Sequence, residues 1–257
     1  MSGITFLSEN LVDDAVLSIT TGAANAQFPL TNIQLATTTR KFRSTGNTVV
    51  VLFDLLQTRD IDTVALVGDN TTNLEVTAAT FKTSVTTDFS LSPVNTIALS
   101  AEFNIGYVSI TQVSHRFVEM TFTGSGSFAE VSNIFIGAQL NIPLNSFSIA
   151  SFTYRHDDLT QNQFNDYHQQ FSDVFPYQKR LAGTMEYCTQ SEQDNLDEMF
   201  LRHGRNSPLW VIIDPDSEAM TDGQFKLAMY GYMEKMPTWN AVGGRLYNAS
   251  IEMNQVV

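Results

Sequence analysis

The side chains with the chemistry to act on a substrate are thinly spread along this chain of 257 residues. His115, His156, His168 and His203 stand far apart, and none lies in an HExxH helix or beside a second ligand type at metal spacing. His168 and His203 fall on or beside apolar helical stripes, where packing is the commoner role. The run DPDSEAMTDG, 214–223, crowds Asp214, Asp216, Glu218 and Asp222 together, a set of hard oxygen donors of the kind that hold a divalent cation. It lacks the glycine and terminal glutamate of an EF-hand loop, carries Pro215 and Ala219, and reads first as a solvated turn between two strands.

RHDD, 155–158, sets His156 beside two carboxylates, but neighbours in sequence need not meet in space. Asp157 and Asp158 before Thr160 also suit the approach to a helix N-terminus. There is no GxSxG turn, no P-loop and no dinucleotide fingerprint. GSGSF, 124–128, lacks the lysine and the following helix that a phosphate site needs, and reads as a loop or hairpin. No catalytic, metal or cofactor-binding residue is therefore assigned, no cofactor is expected, and the chain reads as something other than an enzyme.

Two single residues have more open readings. Cys188 ends the alternating run RLAGTMEYC, where a small buried hydrophobe is expected rather than a reactive thiol. Trp239 lies in MPTWNAVGG, a Pro- and Gly-bearing segment between two strands. It is either an anchor for a partner surface or a cover for its own core.

Composition bounds the function classes. Apolar residues make up 43% of the chain, enough for a sizeable core, while charged residues are only 16%, against roughly 25% in an average domain. The 14 Lys and Arg against 27 Asp and Glu leave a formal charge of −13. That field repels phosphate backbones, and RKFR, 40–43, is the largest basic cluster, so nucleic-acid binding is not expected. The opening residues have no basic n-region and carry Glu9, Asp13 and Asp14, unlike a secretory signal. No stretch has the ~18 unbroken apolar residues of a membrane span. One cysteine excludes an internal disulfide.

The elements that must carry these residues change character part-way along. Up to about residue 140, runs such as TVVVLFDL, IDTVALVG, LEVTAATFK, YVSITQV, RFVEMTFTG and EVSNIFIGA read as separate strands between turn clusters. Strands without intervening helices predict a β-sandwich or jelly roll. After LNIPLNS two helices are predicted. The first spans 160–175, with Phe164, Tyr167, His168, Phe171 and Val174 on one stripe and a Thr160/Gln163 capping box. The second spans 191–204, with Ser191 as N-cap, Leu196, Met199, Phe200 and His203 on one face and Gly204 as the stop. The fold class is thus mostly β: a sandwich over 1–142, then a smaller α+β domain with two helices over 143–257, the boundary falling near Pro143.

Phe42, Asp54, Leu55, Arg116, Phe117, Val118, Glu130, Val131 and Gly137 stand where TTTRKFRSTG, VVVLFDL, HRFVEMTFTG and FAEVSNIFIGAQL resemble the galactose-binding-like, discoidin-type jelly roll. The usual tryptophans of that family's sugar-binding loops are absent. FLSENLVDDAVLSITTGAANAQFPLTNIQ at the start and GGRLYNASIEM near the end resemble tailed-bacteriophage virion proteins in style and domain order. That resemblance implies a tail, baseplate or head-tail adaptor component assembled in the host cytoplasm, with other virion proteins as partners and a homo-oligomeric ring or trimer as its form. The alternatives are a glycan-binding adhesion module or a capsid decoration protein. For a glycan site the loop GDNTTN, 68–73, is polar but has no aromatic.

Overall fold

The computed structural model describes residues 4–68, 75–100, 104–142, 153–157, 161–164, 170–173, 178–205, 207–213 and 228–256. Its strands are β1 (Ile4–Leu7), β2 (Val16–Thr21), β3 (Phe42–Arg43), β4 (Thr48–Val67), β5 (Ala78–Ser84), β6 (Asn95–Ser100), β7 (Ile105–Thr123), β8 (Glu130–Val131), β9 (Asn133–Gly137) and β10 (Gln139–Ile142). They continue with β11 (Thr153–Asp157), β12 (Gln161–Phe164), β13 (Gln170–Asp173), β14 (Gln178–Thr189), β15 (Leu209–Ile213), β16 (Ala228–Met233), β17 (Trp239–Gly243) and β18 (Leu246–Gln255). The one α-helix among the described residues is α1 (Gln190–His203), and a short 3₁₀ turn covers Leu30–Gln34.

The runs expected as separate strands join end to end. TVVVLFDL and IDTVALVG form the single strand β4, and YVSITQV with RFVEMTFTG form β7. The polar stretch between the β4 runs is a bulge rather than a turn. Leu56 takes φ 67°, its N–H donates to Asp54 Oδ1 at 2.9 Å, and the pairing with β7 shifts register between Asp54 and Arg59 and again between Ile61 and Thr63. A bulge bends a strand and re-aims it without ending it. The first part of β4 pairs with β2, its last five residues with β9, and β7 runs beside it throughout. The sheet thereby rolls over one core, in which Val49, Val51 and Phe53 meet Val64, Leu66, Ile97, Met120, Phe122 and Ile134.

The residues that carry the jelly-roll resemblance converge in this roll. Asp54 lies opposite Phe117, and Arg116 grips it bidentately, Nε to Oδ1 at 2.7 Å and an η nitrogen to Oδ2 at 2.8 Å. Phe42 pairs with Val131 and Arg43 with Glu130. Two of the three basic residues of RKFR are used internally: Lys41 and Arg43 both close on the buried Glu130, at 2.6 and 2.5 Å, and Arg43 lies over the Phe28 and Phe128 rings. Gly137 packs so close to the Glu9 carbonyl that no Cβ fits there.

The second sheet runs β10-β1-β15-β16-β18-β14-β11, with β17 paired to β18. Two strands from before residue 143, β1 and β10, are hydrogen-bonded into it, β1 lying between β10 and β15. One face packs on α1 through Ile4, Phe6, Leu209, Val211 and Met229 against Leu196, Met199 and Phe200. The opposite face packs on the roll: Leu7, Trp210, Ile212, Ala228 and Tyr230 share a cluster with Ala65, Val67, Ile105, Tyr107 and Phe135. Every residue of β15 is buried for this reason, a continuous apolar run being what a strand covered on both faces requires.

Two expectations are corrected. Within the helix expected over 160–175, the described residues 161–164 and 170–173 are strands instead, β12 and β13, paired antiparallel with Phe164 opposite Gln170. An aromatic stripe at spacing three and four cannot by itself separate helix from short strands, and the Asn, Asp and Ser around it are poor helix formers. Among the described residues there is therefore one α-helix where two were expected. That helix is capped by Thr189, not Ser191: Thr189 Oγ1 accepts from the Glu192 N–H at 3.3 Å, and Glu192 accepts from the Thr189 N–H at 2.7 Å. This capping box starts the helix two residues earlier. Gly204 ends it as expected, at φ 58°. Pro143, the acidic run 214–222, His168 and residues 69–73 of GDNTTN lie outside the described residues.

A candidate ligand cleft between the sheets

Where the second sheet meets the roll, its edge leaves a cleft of about 490 Å³, within the range of small-molecule sites. One wall is the segment after β1, where Ser8, Glu9 and Asn10 lead into a turn bearing Asp13 and Asp14. Asn10 builds this wall: its side chain donates to Asp13 Oδ1 at 2.8 Å and to the Ile134 carbonyl at 3.0 Å, and accepts from the Ile136 N–H at 3.2 Å. Gln34 braces it from the 3₁₀ turn, donating to the carbonyls of Val12 at 2.8 Å and Ala15 at 2.9 Å. The other wall is the end of α1, with Arg202 and His203. Asn133 and Phe135 of β9, Trp210 of β15 and Tyr230 of β16 complete the lining.

Charge is divided unevenly. Arg202 is neutralised by Glu9 at 3.5 Å and Glu198 at 3.0 Å, and Glu9 also reaches Arg59 at 3.8 Å. Among the described residues no cation pairs with Asp13 or Asp14. Burial, then the adjacent Asp14 charge, push the Asp13 carboxyl up to about 6 against the lowering hydrogen bond from Asn10. The carboxylate is enclosed on one side and open at the cleft mouth, so solvent screens part of this penalty. Tyr230 is raised by burial and by the Asp13 charge.

Several buried polar atoms of the lining lack a partner. Trp210 is 1% exposed and its Nε1 meets no acceptor; Asn133 is 2% exposed and its Oδ1 meets no donor. The Asn133 amide nitrogen is already committed to the Leu35 carbonyl at 3.0 Å, so its oxygen faces a fixed way. Both His203 ring nitrogens are likewise buried. Burial and the Arg202 charge hold the imidazole below its ordinary value; the Ser8 and Pro208 carbonyls pull the other way without reaching hydrogen-bond geometry. An unpaired buried donor or acceptor costs about 1–3 kcal/mol, a cost the fold carries at this margin of the second sheet. The Trp210 and Tyr230 rings lie with their centroids 5.3 Å apart, tilted by 42° to one another.

Of the residues singled out in the sequence, His203 lines the cleft, and Trp239, Cys188 and His115 fall elsewhere. Trp239 opens β17, packs against the core under α1 and donates its indole N–H to Asp197. Cys188 is buried in the same core, and burial pushes its thiol up to about 11, far from a reactive thiolate. His115 bonds Thr83 Oγ1 at 2.8 Å, away from the cleft. Among the described residues no group of three or more His, Cys, Asp and Glu is placed to hold a metal ion, and no helix is long and apolar enough to cross a membrane. Sequence reasoning did not find Trp210, Asn133 or Asp13 as site residues. The one available signal was LWVIID, whose unbroken apolar run implies a strand covered on both faces and so a tryptophan at a second interface.

No protein-family model and no curated protein matches the chain. Among solved structures it is similar to a family 32 carbohydrate-binding module from a family 31 glycoside hydrolase of Clostridium perfringens, at 11% identity and TM-score 0.40, over 51% of this chain and 99% of that one. The family 32 module of C. perfringens NanJ in complex with galactose gives 11%, 0.41, 53% and 99%. A fucolectin from the serum of striped bass, Morone saxatilis, gives 10%, 0.42, 54% and 50%. Likenesses of this size say nothing about what this chain binds.

Proposed function

We propose that the chain is a non-catalytic recognition module that takes a polyhydroxylated ligand, a glycan, in the cleft between its two sheets. The observation that carries this is a cleft of about 490 Å³ whose lining mixes the polar side chains of Glu9, Asn10, Asp13, Gln34 and Arg202 with the Trp210–Tyr230 aromatic pair. Sugar hydroxyls donate and accept at once, and they suit such a lining better than apolar or singly charged ligands do. A glycan array followed by titration calorimetry tests it. Saturable binding of a defined sugar, weakened at least ten-fold in His203→Ala, is expected; a folded protein that binds no glycan overturns it.

A second reading keeps the chain as a virion component that assembles in a host cytoplasm through contacts with other virion proteins and with copies of itself. It is supported by the outer edge of β11, which has no partner strand among the described residues and could add a strand from a neighbour. Light scattering on the purified protein and its detection in purified particles test this reading; a monomer absent from particles overturns it. In either reading the modules are proposed as 1–142 and 143–257, with β1 and β10 lent to the second sheet.

A further inference from the structure

We infer that β2 is the seam of a symmetric dimer, in which it pairs antiparallel with β2 of a second copy of this chain. This holds apart from the glycan reading of the cleft and does not require the chain to be a virion component. β2 (Val16–Thr21) ends the six-stranded sheet, with β4 on one side and no strand on the other among the described residues. Folded monomers guard such an edge with charge, proline or a covering segment. β11 carries Arg155, His156 and Asp157, and β9 is met by the Leu11 N–H, which donates to the Ile136 carbonyl at 2.9 Å. The run VLSITT has neither charge nor proline, and only Thr20, the extra residue in its pairing with β4, interrupts it.

The side chains beside this edge are those of an unfinished sheet. Leu17 and Ile19 pack on the core of the roll yet are only partly buried, and Val16 is 56% exposed. Asp54 lies opposite Val16, and two residues on, Leu56 is held 53% exposed at φ 67°, a conformation that a leucine keeps only where its surroundings impose it. An uncovered apolar margin beside a strained, exposed leucine marks a contact surface. The register favours a second copy as the occupant. Centred on Ser18, an antiparallel pair sets Ser18 against its own copy, joins Leu17 to Ile19 on the core side and brings Val16 opposite Thr20. Continued outward, the same register places Asp14 opposite Gly22, so no acidic group meets another where two chains of charge −13 approach.

Analytical ultracentrifugation of the full chain from about 5 to 500 µM is expected to show a monomer–dimer equilibrium, because a short strand edge buries less than the ~800 Å² per partner of a standard interface. Ser18 is exposed, so Ser18→Lys leaves the fold intact by circular dichroism while setting two ammonium groups face to face at the axis; it should weaken the dimer about ten-fold or more, and Ser18→Thr should keep it. Under mild oxidation Ser18→Cys is expected to form a disulfide-linked dimer, since directly opposite residues lie within disulfide reach and the natural Cys188 is buried. Thr87→Cys, exposed between β5 and β6, is the control and should stay unlinked. A monomer at every concentration overturns the inference. So does an oligomer that Ser18→Lys leaves intact, or a Ser18→Cys protein that links no faster than Thr87→Cys. None of these results bears on the glycan reading, which stands or falls by the array.

Discussion

The rolled N-terminal sheet and the eight-stranded sheet behind it solve the same burial problem differently. Along the first part of β4, Val49, Val51, Phe53 and Leu55 are buried while the residues between them are only partly covered or exposed. The outer face is polar and held by pairs such as Arg116 with Asp54 and Lys82 with Glu119. In β15 all five residues are buried, because α1 covers one face and the roll covers the other. A half-covered sheet can leave its polar groups to water. A doubly covered one has to find each a partner, and at its margin, where the two sheets part, some remain without one. The cleft is a consequence of that geometry, and its unpaired atoms belong to residues that also cement the halves together.

Trp210→Ala strikes the shared interface and should cost most, about 3–5 kcal/mol. Its denaturant transition is expected to separate into two steps as the halves uncouple; a single transition with little loss of stability would mean that the sheets are not joined through this residue. Glu130→Gln, within the roll, leaves Lys41 and Arg43 facing a neutral amide in a largely buried place. A loss of about 3 kcal/mol is expected in urea unfolding. Gly137→Ala forces a Cβ against the Glu9 carbonyl at the crossing from roll to second sheet, and about 2 kcal/mol should be lost. Gly46→Ala, with open space around it, is the control and should stay within about 0.5 kcal/mol of the parent.

The smallest effect concerns the cleft rim. Since the folded-state pKa of Asp13 is raised to about 6, the folded protein holds this proton more tightly than the unfolded chain does. The contribution favours folding at low pH and declines as pH rises from about 4 through 6. Asp13→Asn should remove that slope and add less than about 1 kcal/mol at neutral pH, because water at the cleft mouth screens the charge. A parent whose stability, followed by thermal melts across this window, changes no differently from the variant would contradict the assignment.

Much of the roll was legible because its signals are local or carry charge. The β-branched alternation of VVVLF marks a strand, whereas the meeting of Asp54 with Arg116 across β4 and β7 shows only in the structure. Gly204 stops the helix because only a residue tolerant of positive φ ends it well there. The pairing of 161–164 with 170–173 was not legible, since a few aromatics at mixed spacing satisfy either period. The bulge at Leu56 was read as a turn, because polar residues inside a strand give the same local signal. Trp239 drew attention by lying in a Pro/Gly segment, yet it docks on α1, while Trp210, hidden in an apolar run, lines the cleft.

What the sequence by itself determined is the class of the molecule: a β-rich, acidic chain without a catalytic signature, whose strand faces, helix stop and buried cysteine follow from neighbours within a few residues. Only the tertiary structure decided that Ile4–Leu7 inserts beside Leu209–Ile213, some 200 residues away, and that Asp13, Asn133, His203 and Trp210 share one cleft. The reason is physical. Periodicity and capping act over one or two turns of chain, whereas strand pairing across such a span is chosen by the burial of whole faces, which no short stretch of residues encodes.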